Sequence, residues 1–191
     1  MINGRTQRRL VWNRLLPQVE DKPLNLGKDY KLLRKKQDTY PLPVVEGIKN
    51  SPVSGNYTGG RITLESNKYG WQSLSLQFKQ KEVVMTVTDE NGMTYDLLFG
   101  YKQWLDTAVE ARPPYSIRPV DRFRGIEGPF RVAGSYGWQS SETLRLKAHY
   151  VNWISALDIT FRFDGERVFM KVTENFSSDE ETIEGKYFHF R

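Results

Sequence analysis

Apolar and polar positions along this chain change period once, near Tyr57. Before it, Leu10, Val11, Trp12, Leu15 and Leu16 fall at roughly helical spacing, and Pro17 stops the run. A second helical stretch, about Lys28–Lys36, carries Tyr30, Leu32 and Leu33 among basic residues. Apolar residues three and four apart share one helix face, so the spacing predicts two short helices. Tyr40-Pro41-Leu42-Pro43 predicts an extended linker, because proline fixes φ and biases the residue before it away from helix.

From Tyr57 the period is two, the signature of half-buried strands. Ile62 and Leu64 alternate with polar neighbours, as do Leu74, Leu76 and Phe78. Val83, Met85 and Val87 lead into Asp89-Glu90-Asn91-Gly92, whose Asn-Gly suits a hairpin turn. Tyr95, Leu97 and Phe99 return. The scheme repeats after Phe130 and Val132. Leu144, Leu146, Ala148 and Tyr150 alternate, then Leu157, Ile159, Phe161 and Phe163; Asp164-Gly165 turns the chain, and Val168, Met170 and Val172 follow. A last strand is expected near Tyr187–Phe190. Residues 105–128 read as a break, with Arg112-Pro113-Pro114 and Arg118-Pro119 forbidding regular structure. Some eight to ten short strands joined mostly by short turns predict an antiparallel up-and-down barrel of lipocalin or streptavidin type, closure leaving no exposed edge. A two-sheet sandwich is the alternative. The expected division is a helical connector over 1–50 and a barrel over 51–191, with halves near 55–104 and 128–191.

Two copies of one pentapeptide punctuate this pattern: Tyr69-Gly70-Trp71-Gln72-Ser73 and Tyr136-Gly137-Trp138-Gln139-Ser140. Both are expected at strand entrances, where the glycine permits a bend or bulge and each Trp plugs one end of the barrel. The functional counterpart makes Tyr69, Trp71, Tyr136 and Trp138 a stacking platform at a barrel mouth for a sugar, peptide or lipid. Trp104 and Trp153 are expected to pack.

Charge separates the two parts. Residues 1–50 hold 11 Lys/Arg against 5 Asp/Glu, and the remainder holds 17 against 18. The basic character therefore belongs to the N-terminal segment, which predicts either a solvated face or a contact with an acidic partner. A near-neutral strand region argues against nucleic acid, which needs a basic face on the folded part. No apolar run reaches the length of a membrane span, and residues 1–10 lack the apolar stretch of a signal peptide.

Catalytic chemistry finds little to stand on. There is no cysteine, and His149 and His189 are the only imidazoles. No Ser-x-x-Lys, Lys-Thr-Gly, Gly-x-Ser-x-Gly or P-loop string occurs. Tyr150-Val151-Asn152 is a chance-level match to Tyr-x-Asn, and Tyr150 reads as core. Asp179, Glu180 and Glu181 beside Ser177 and Ser178 suggest a solvated turn, with a weak cation site as the alternative. No catalytic residue, metal site or cofactor is expected.

One resemblance runs along nearly the whole chain. Thr143-Leu144-Arg145-Leu146-Lys147-Ala148-His149-Tyr150, then Leu157-Asp158-Ile159-Thr160-Phe161-Arg162-Phe163-Asp164-Gly165, preceded by Gly134 and Trp138, is similar to the C-terminal extension of Bacteroidetes β-lactamase-family serine hydrolases. Ser54-Gly55-Asn56-Tyr57, Asn67-Lys68-Tyr69-Gly70, Ser73-Leu74, Phe78 and Gly100-Tyr101-Lys102-Gln103-Trp104 resemble the first half of that extension. Leu15-Leu16-Pro17 and Tyr40-Pro41-Leu42-Pro43 look like the hinge before it. The resemblance implies a non-catalytic accessory domain of a periplasmic or extracytoplasmic protein. Its implied partner is a serine hydrolase domain of penicillin-binding or esterase-like kind, in cis or in trans, which this chain does not contain. The other reading of the residues is a lipocalin-like protein that binds a small apolar, sugar or peptide ligand.

Overall fold

A computed structural model describes residues 9, 11–19, 27–38, 42–112, 125, 127–176 and 180–189. The prolines at 113, 114 and 119 and the Ser177, Ser178 and Asp179 turn lie outside the described residues. The chain forms two units, Met1–Leu42 and Pro43–Arg191. The boundary expected at residue 50 therefore moves back to 42.

In the first unit, Val11–Leu15 winds as a π-helical turn and Leu16–Gln18 as a 3₁₀ turn. Pro17 sits inside that turn rather than beyond the helix. The 3₁₀ pattern needs only Val19 N–H to Leu16 carbonyl, at 3.1 Å, and leaves the missing proline donor without consequence. The predicted second helix forms as α1 (Lys28–Asp38).

The second unit is a closed antiparallel barrel. Its strands are β1 (Arg61–Leu64), β2 (Trp71–Phe78), β3 (Glu82–Asp89), β4 (Thr94–Tyr101) and β5 (Leu105–Val109), then β6 (Phe130–Trp138), β7 (Thr143–Tyr150), β8 (Ala156–Asp164), β9 (Arg167–Glu174) and β10 (Glu180–Phe188). The order is β4-β3-β2-β1-β10-β9-β8-β7-β6-β5. The ring closes where Gly100 and Tyr101 of β4 pair in parallel with Ser135 and Tyr136 of β6. Nine strands make the ring, and β5 runs along the outer half of β6 with Leu105 opposite Gly134 and Val109 opposite Phe130. The sandwich alternative is thereby excluded.

Two strands depart from expectation. β5 falls in the stretch read as a break, because five residues with one fully committed apolar position carry too little alternation to register. β10 begins at Glu180, seven residues before the strand expected near Tyr187. Its start is acidic, and the pairing comes from β9: Lys171 Nζ meets Glu180 at 2.6 Å, and Arg167 Nε meets Glu184 at 2.9 Å.

Alternation places one apolar set inside. Ile62, Leu76, Met85, Leu97, Phe99, Val132, Leu144, Leu146, Leu157, Ile159, Phe161, Met170 and Val172 are all 0% exposed. No space as large as a water molecule touches any of them. They form one contiguous core with Trp71, Tyr136 and Trp138. Small barrels of this kind are filled by side chains when the strand number and tilt leave no surplus radius.

Residues 43–57 explain the moved boundary. Val45 N–H donates to the buried Ser135 hydroxyl at 3.1 Å, and Ile48 pairs with Trp138. The Gln139 side-chain amide donates to Glu46 carbonyl at 2.6 Å. The segment that reads as linker by composition is a strap on β6.

Closure depends on one missing side chain. A Cβ at Gly134 would lie 2.0 Å from Leu98 carbonyl oxygen, so only glycine lets β4 and β6 meet. Gly134→Ala is expected to lower unfolding free energy by about 3 kcal/mol, the upper range for forcing volume into a filled core. Urea denaturation measures it, and an unchanged midpoint would refute the closure argument.

Candidate functional site

The polarity of the strands fixes which aromatics share an end. β1, β3, β7 and β9 run toward the end that holds the β1–β2, β3–β4, β7–β8 and β9–β10 connections, here termed the upper end. Trp71 begins β2 at this upper end, whereas Trp138 ends β6 at the lower one. Eight-residue strands rising about 3.3 Å per residue hold the two indoles roughly 20 Å apart along the wall. The two pentapeptides therefore do not converge on one mouth. The second also stands at a strand exit, not the entrance that its spelling suggests.

The identical letters do different work. Gly70 turns with φ +66° before β2, and a β-bulge between Trp71 and Ser73 follows. Gly137 lies within β6, and a Cβ there would come 2.6 Å from Glu46 carbonyl oxygen, so it admits the strap. Each Trp nonetheless seals its own end: Trp71 is 4% exposed and Trp138 1%.

The lower end is an aromatic plug. Trp138 lies 5.5 Å, centroid to centroid, from both Phe78 and Phe163. Tyr57 stacks on Phe163 at 4.3 Å and meets Tyr187 edge-on at 5.0 Å. Its hydroxyl donates to Gly165 carbonyl at 2.6 Å, tying the strap to the β8–β9 turn. Such a pile, with Tyr57, Trp138 and Phe163 buried and the Tyr57 hydroxyl bonded, is a closure rather than a receptor surface.

The upper end is different, because polar groups there point inward. Tyr69 stacks on Trp71 at 4.9 Å, and Trp71 Nε1 donates to the Tyr95 hydroxyl at 3.1 Å. Tyr150, opposite Val132 and 4% exposed, adds a fourth ring on the inward side. Glu174 ends β9 in the inward register after Val168, Met170 and Val172, and is 5% exposed. A buried carboxylate needs a nearby cation. Lys68 supplies it from the β1–β2 connection, with Nζ 3.9 Å from Glu174, 3.8 Å from Glu181 and 5.1 Å from the centre of the Tyr69 ring. Sequence reasoning passed over Glu174 and Lys68. The one available signal was a glutamate continuing the apolar alternation of β9.

Burial, followed by the Glu174 and Glu181 carboxylates, holds the Tyr69 hydroxyl well above the ordinary tyrosine range. Burial pushes Tyr95 up to about 12; the Trp71 indole donor works against this and Asp89 works with it. Burial also lowers His149, with Lys147 next in weight and Asp158 opposing. That imidazole stands edge-on to Trp104 at 5.1 Å, and His189 shares a 3.2 Å hydrogen bond with the Tyr187 hydroxyl. Trp153 packs edge-on against Phe130 at 5.6 Å. The buried Ser135 hydroxyl accepts from Val45 and reaches Gly100 carbonyl at 3.3 Å, a structural role at the closure. Among the described residues no group of three His, Asp or Glu could hold a metal ion. Glu180 and Glu181, expected in a solvated turn, are instead ion-paired strand residues.

On the outer wall a depression of about 410 Å³ crosses β7 to β10. It is floored by charges that already satisfy one another, Arg145 with Asp158 at 2.5 Å and Lys171 with Glu180.

The class this architecture defines is the closed, antiparallel, lipocalin-like β-barrel. No family model and no curated protein matches the sequence. Among solved structures, the chain is similar to a Schistosoma mansoni fatty acid binding protein in complex with arachidonic acid (11% identity, TM-score 0.47, covering 74% of this chain and 100% of that one). It is also similar to the fatty acid-binding protein of Drosophila melanogaster brain tissue (9%, 0.44, 70% and 99%) and to a secretory abundant heat soluble protein of Ramazzottius varieornatus (8%, 0.44, 76% and 98%).

Two measurements check the upper end. Folded Tyr95 keeps its proton to about pH 12, whereas the unfolded chain releases it near pH 10. The folded state binds the proton more tightly, so this contribution is fully present below pH 10 and is lost as pH rises toward 12. Denaturation midpoints across that window should fall, and less steeply in Tyr95→Phe. In a second test, Lys68→Met should cost about 1 kcal/mol, limited by the lysine's exposure, and Glu174→Gln in the same chain should recover most of it. Strict additivity of the two changes would show that the pair does not interact.

Proposed function

We propose that this chain is a non-catalytic accessory barrel that works by docking through its exterior. Its partner is a serine hydrolase domain of the kind its sequence resembles, held in cis or in trans. The observation that supports this is the packed interior: among the described residues, the inward side chains Phe99, Ile159 and Met170 are 0% exposed and touch no lumen. A carrier of long apolar ligands needs an apolar cavity of several hundred Å³. A solid barrel has only its surface and its ends to offer. The resemblance also carries the expectation of an extracytoplasmic setting.

A second reading, a small-ligand site, is favoured by the inward carboxylate of Glu174 at the same end of the barrel as Tyr69, Trp71, Tyr95 and Tyr150. Such a site would occupy the upper rim and involve Tyr69 and Trp71. Tyr136 and Trp138 belong to the opposite end and would take no part.

One titration separates the readings. The docking reading expects tryptophan emission to stay constant as a fatty acid or a simple sugar is added, and expects no turnover of nitrocefin or short-chain esters. A saturable shift that Trp71→Phe removes and Trp138→Phe leaves intact would replace it with the rim-site reading. Turnover that survives purification would overturn both.

A further inference from the structure

The β3–β4 hairpin turns at Asp89-Glu90-Asn91-Gly92, and its tip sets an amide side chain next to a residue that leaves its own backbone nitrogen unshielded. Asn91 and Gly92 are both exposed. Gly92 turns at φ +78°, and a Cβ built on it would meet nothing within 4 Å. Asparagine is a thermolabile residue. Its side-chain carbonyl carbon stands one bond short of a five-membered ring with the following backbone nitrogen, and a glycine there puts no side chain in the way.

The reaction open to this pair is self-contained. The Gly92 nitrogen gives up its proton and attacks Asn91 Cγ. The side-chain nitrogen takes a proton and leaves as ammonia, and a cyclic imide remains. Water then opens the imide at either carbonyl. One product is aspartate in the normal linkage; in the other the main chain runs through the side-chain carbons. Water is the only co-reactant, and nothing is oxidised or reduced.

The fold holds this reaction back. The proton that must be lost is the one Gly92 N–H donates to the Asp89 carbonyl at 3.0 Å. Asp89 Oδ1 accepts from Asn91 N–H and from Met93 N–H, both at 2.9 Å. Asp89 N–H in turn donates to the Met93 carbonyl at 3.0 Å. The Asp89 carboxylate also opposes a second negative charge on a deprotonated Gly92 nitrogen close by. Glu90 N–H donates to the Gly70 carbonyl at 2.8 Å, which ties the tip to the turn before Trp71. The ring closes only when these bonds let go.

We infer that Asn91 is a site of spontaneous deamidation, latched by Asp89 and released when the β3–β4 turn opens. The inference is independent of what the barrel docks on.

The test holds the full chain in mildly alkaline buffer, with and without concentrated urea, and follows residue 91 by peptide mapping with mass spectrometry. Conversion is expected in both, slower by about tenfold or more in the folded chain, because the rate follows the fraction of time the turn is open. Asp89→Ala should speed the folded chain several-fold and leave the rate in urea nearly unchanged. Asn91→Gln, which would have to form a six-membered ring, should stop the conversion. Circular dichroism checks that both variants keep the barrel. Equal rates for the unaltered chain with and without urea would overturn the latch, whatever the variants do. No conversion at residue 91 in urea would overturn the site. A folded Asp89→Ala chain that reacts no faster than the parent would overturn the part given to the carboxylate.

Discussion

Everything in the barrel depends on one contact, the parallel meeting of β4 and β6 at Gly100–Tyr101 and Ser135–Tyr136. Consecutive hairpins can extend a sheet indefinitely; they cannot close it. Closure brings strands far apart in sequence to within hydrogen-bond reach, and here the backbone of β4 presses where a Gly134 side chain would stand. Ser135 holds the joint on both sides, receiving Val45 from the strap and touching Gly100 on β4. Leu98 N–H, just above the joint, is satisfied by the Thr107 hydroxyl of β5 at 3.1 Å, because β4 and β5 share no backbone ladder there. A buried amide without a partner would cost about as much as a lost hydrogen bond.

The filled interior follows from the same closure. Nine strands fix a radius, and the residues sent inward are large: Phe99, Tyr136, Trp138, Phe161 and Phe163 are among the most completely buried side chains. Radius and side-chain volume together leave the ends as the places where polar groups enter the core. The lower end uses Tyr57 to finish its aromatic stack with a hydrogen bond. The upper end admits a carboxylate, Glu174, and matches it with Lys68 from a different connection. That ion pair links the β1–β2 connection to β9 and β10, elements more than a hundred residues apart.

The candidate site was only partly legible beforehand. Tyr69 and Trp71 stand out as repeated letters, and both line the upper end. Tyr136 and Trp138 stand out equally and lie at the other end, because a repeat in sequence does not say whether its copy precedes a strand or finishes one. Glu174 and Lys68 carry no motif. They matter because β9 and the β1–β2 connection arrive at one place, a fact of strand polarity and not of spelling. Glu180 read as part of a turn because its own neighbours are acidic; Lys171, nine residues earlier, makes it a strand residue.

Local chemistry by itself determined the alternation of apolar residues, the Asn91-Gly92 and Asp164-Gly165 turns, a short helix over about Lys28–Lys36 and the unequal charge of the two parts. Those are properties of near neighbours, and period and turn geometry act over a few residues. Tertiary structure decided the rest. It chose a ring over a sandwich, filled the ring, drew residues 43–50 into the barrel as a strap, and recruited β5 from a stretch that looked unstructured. Each of these depends on contacts between distant segments, whose strength comes from burial and mutual fit that no local pattern records.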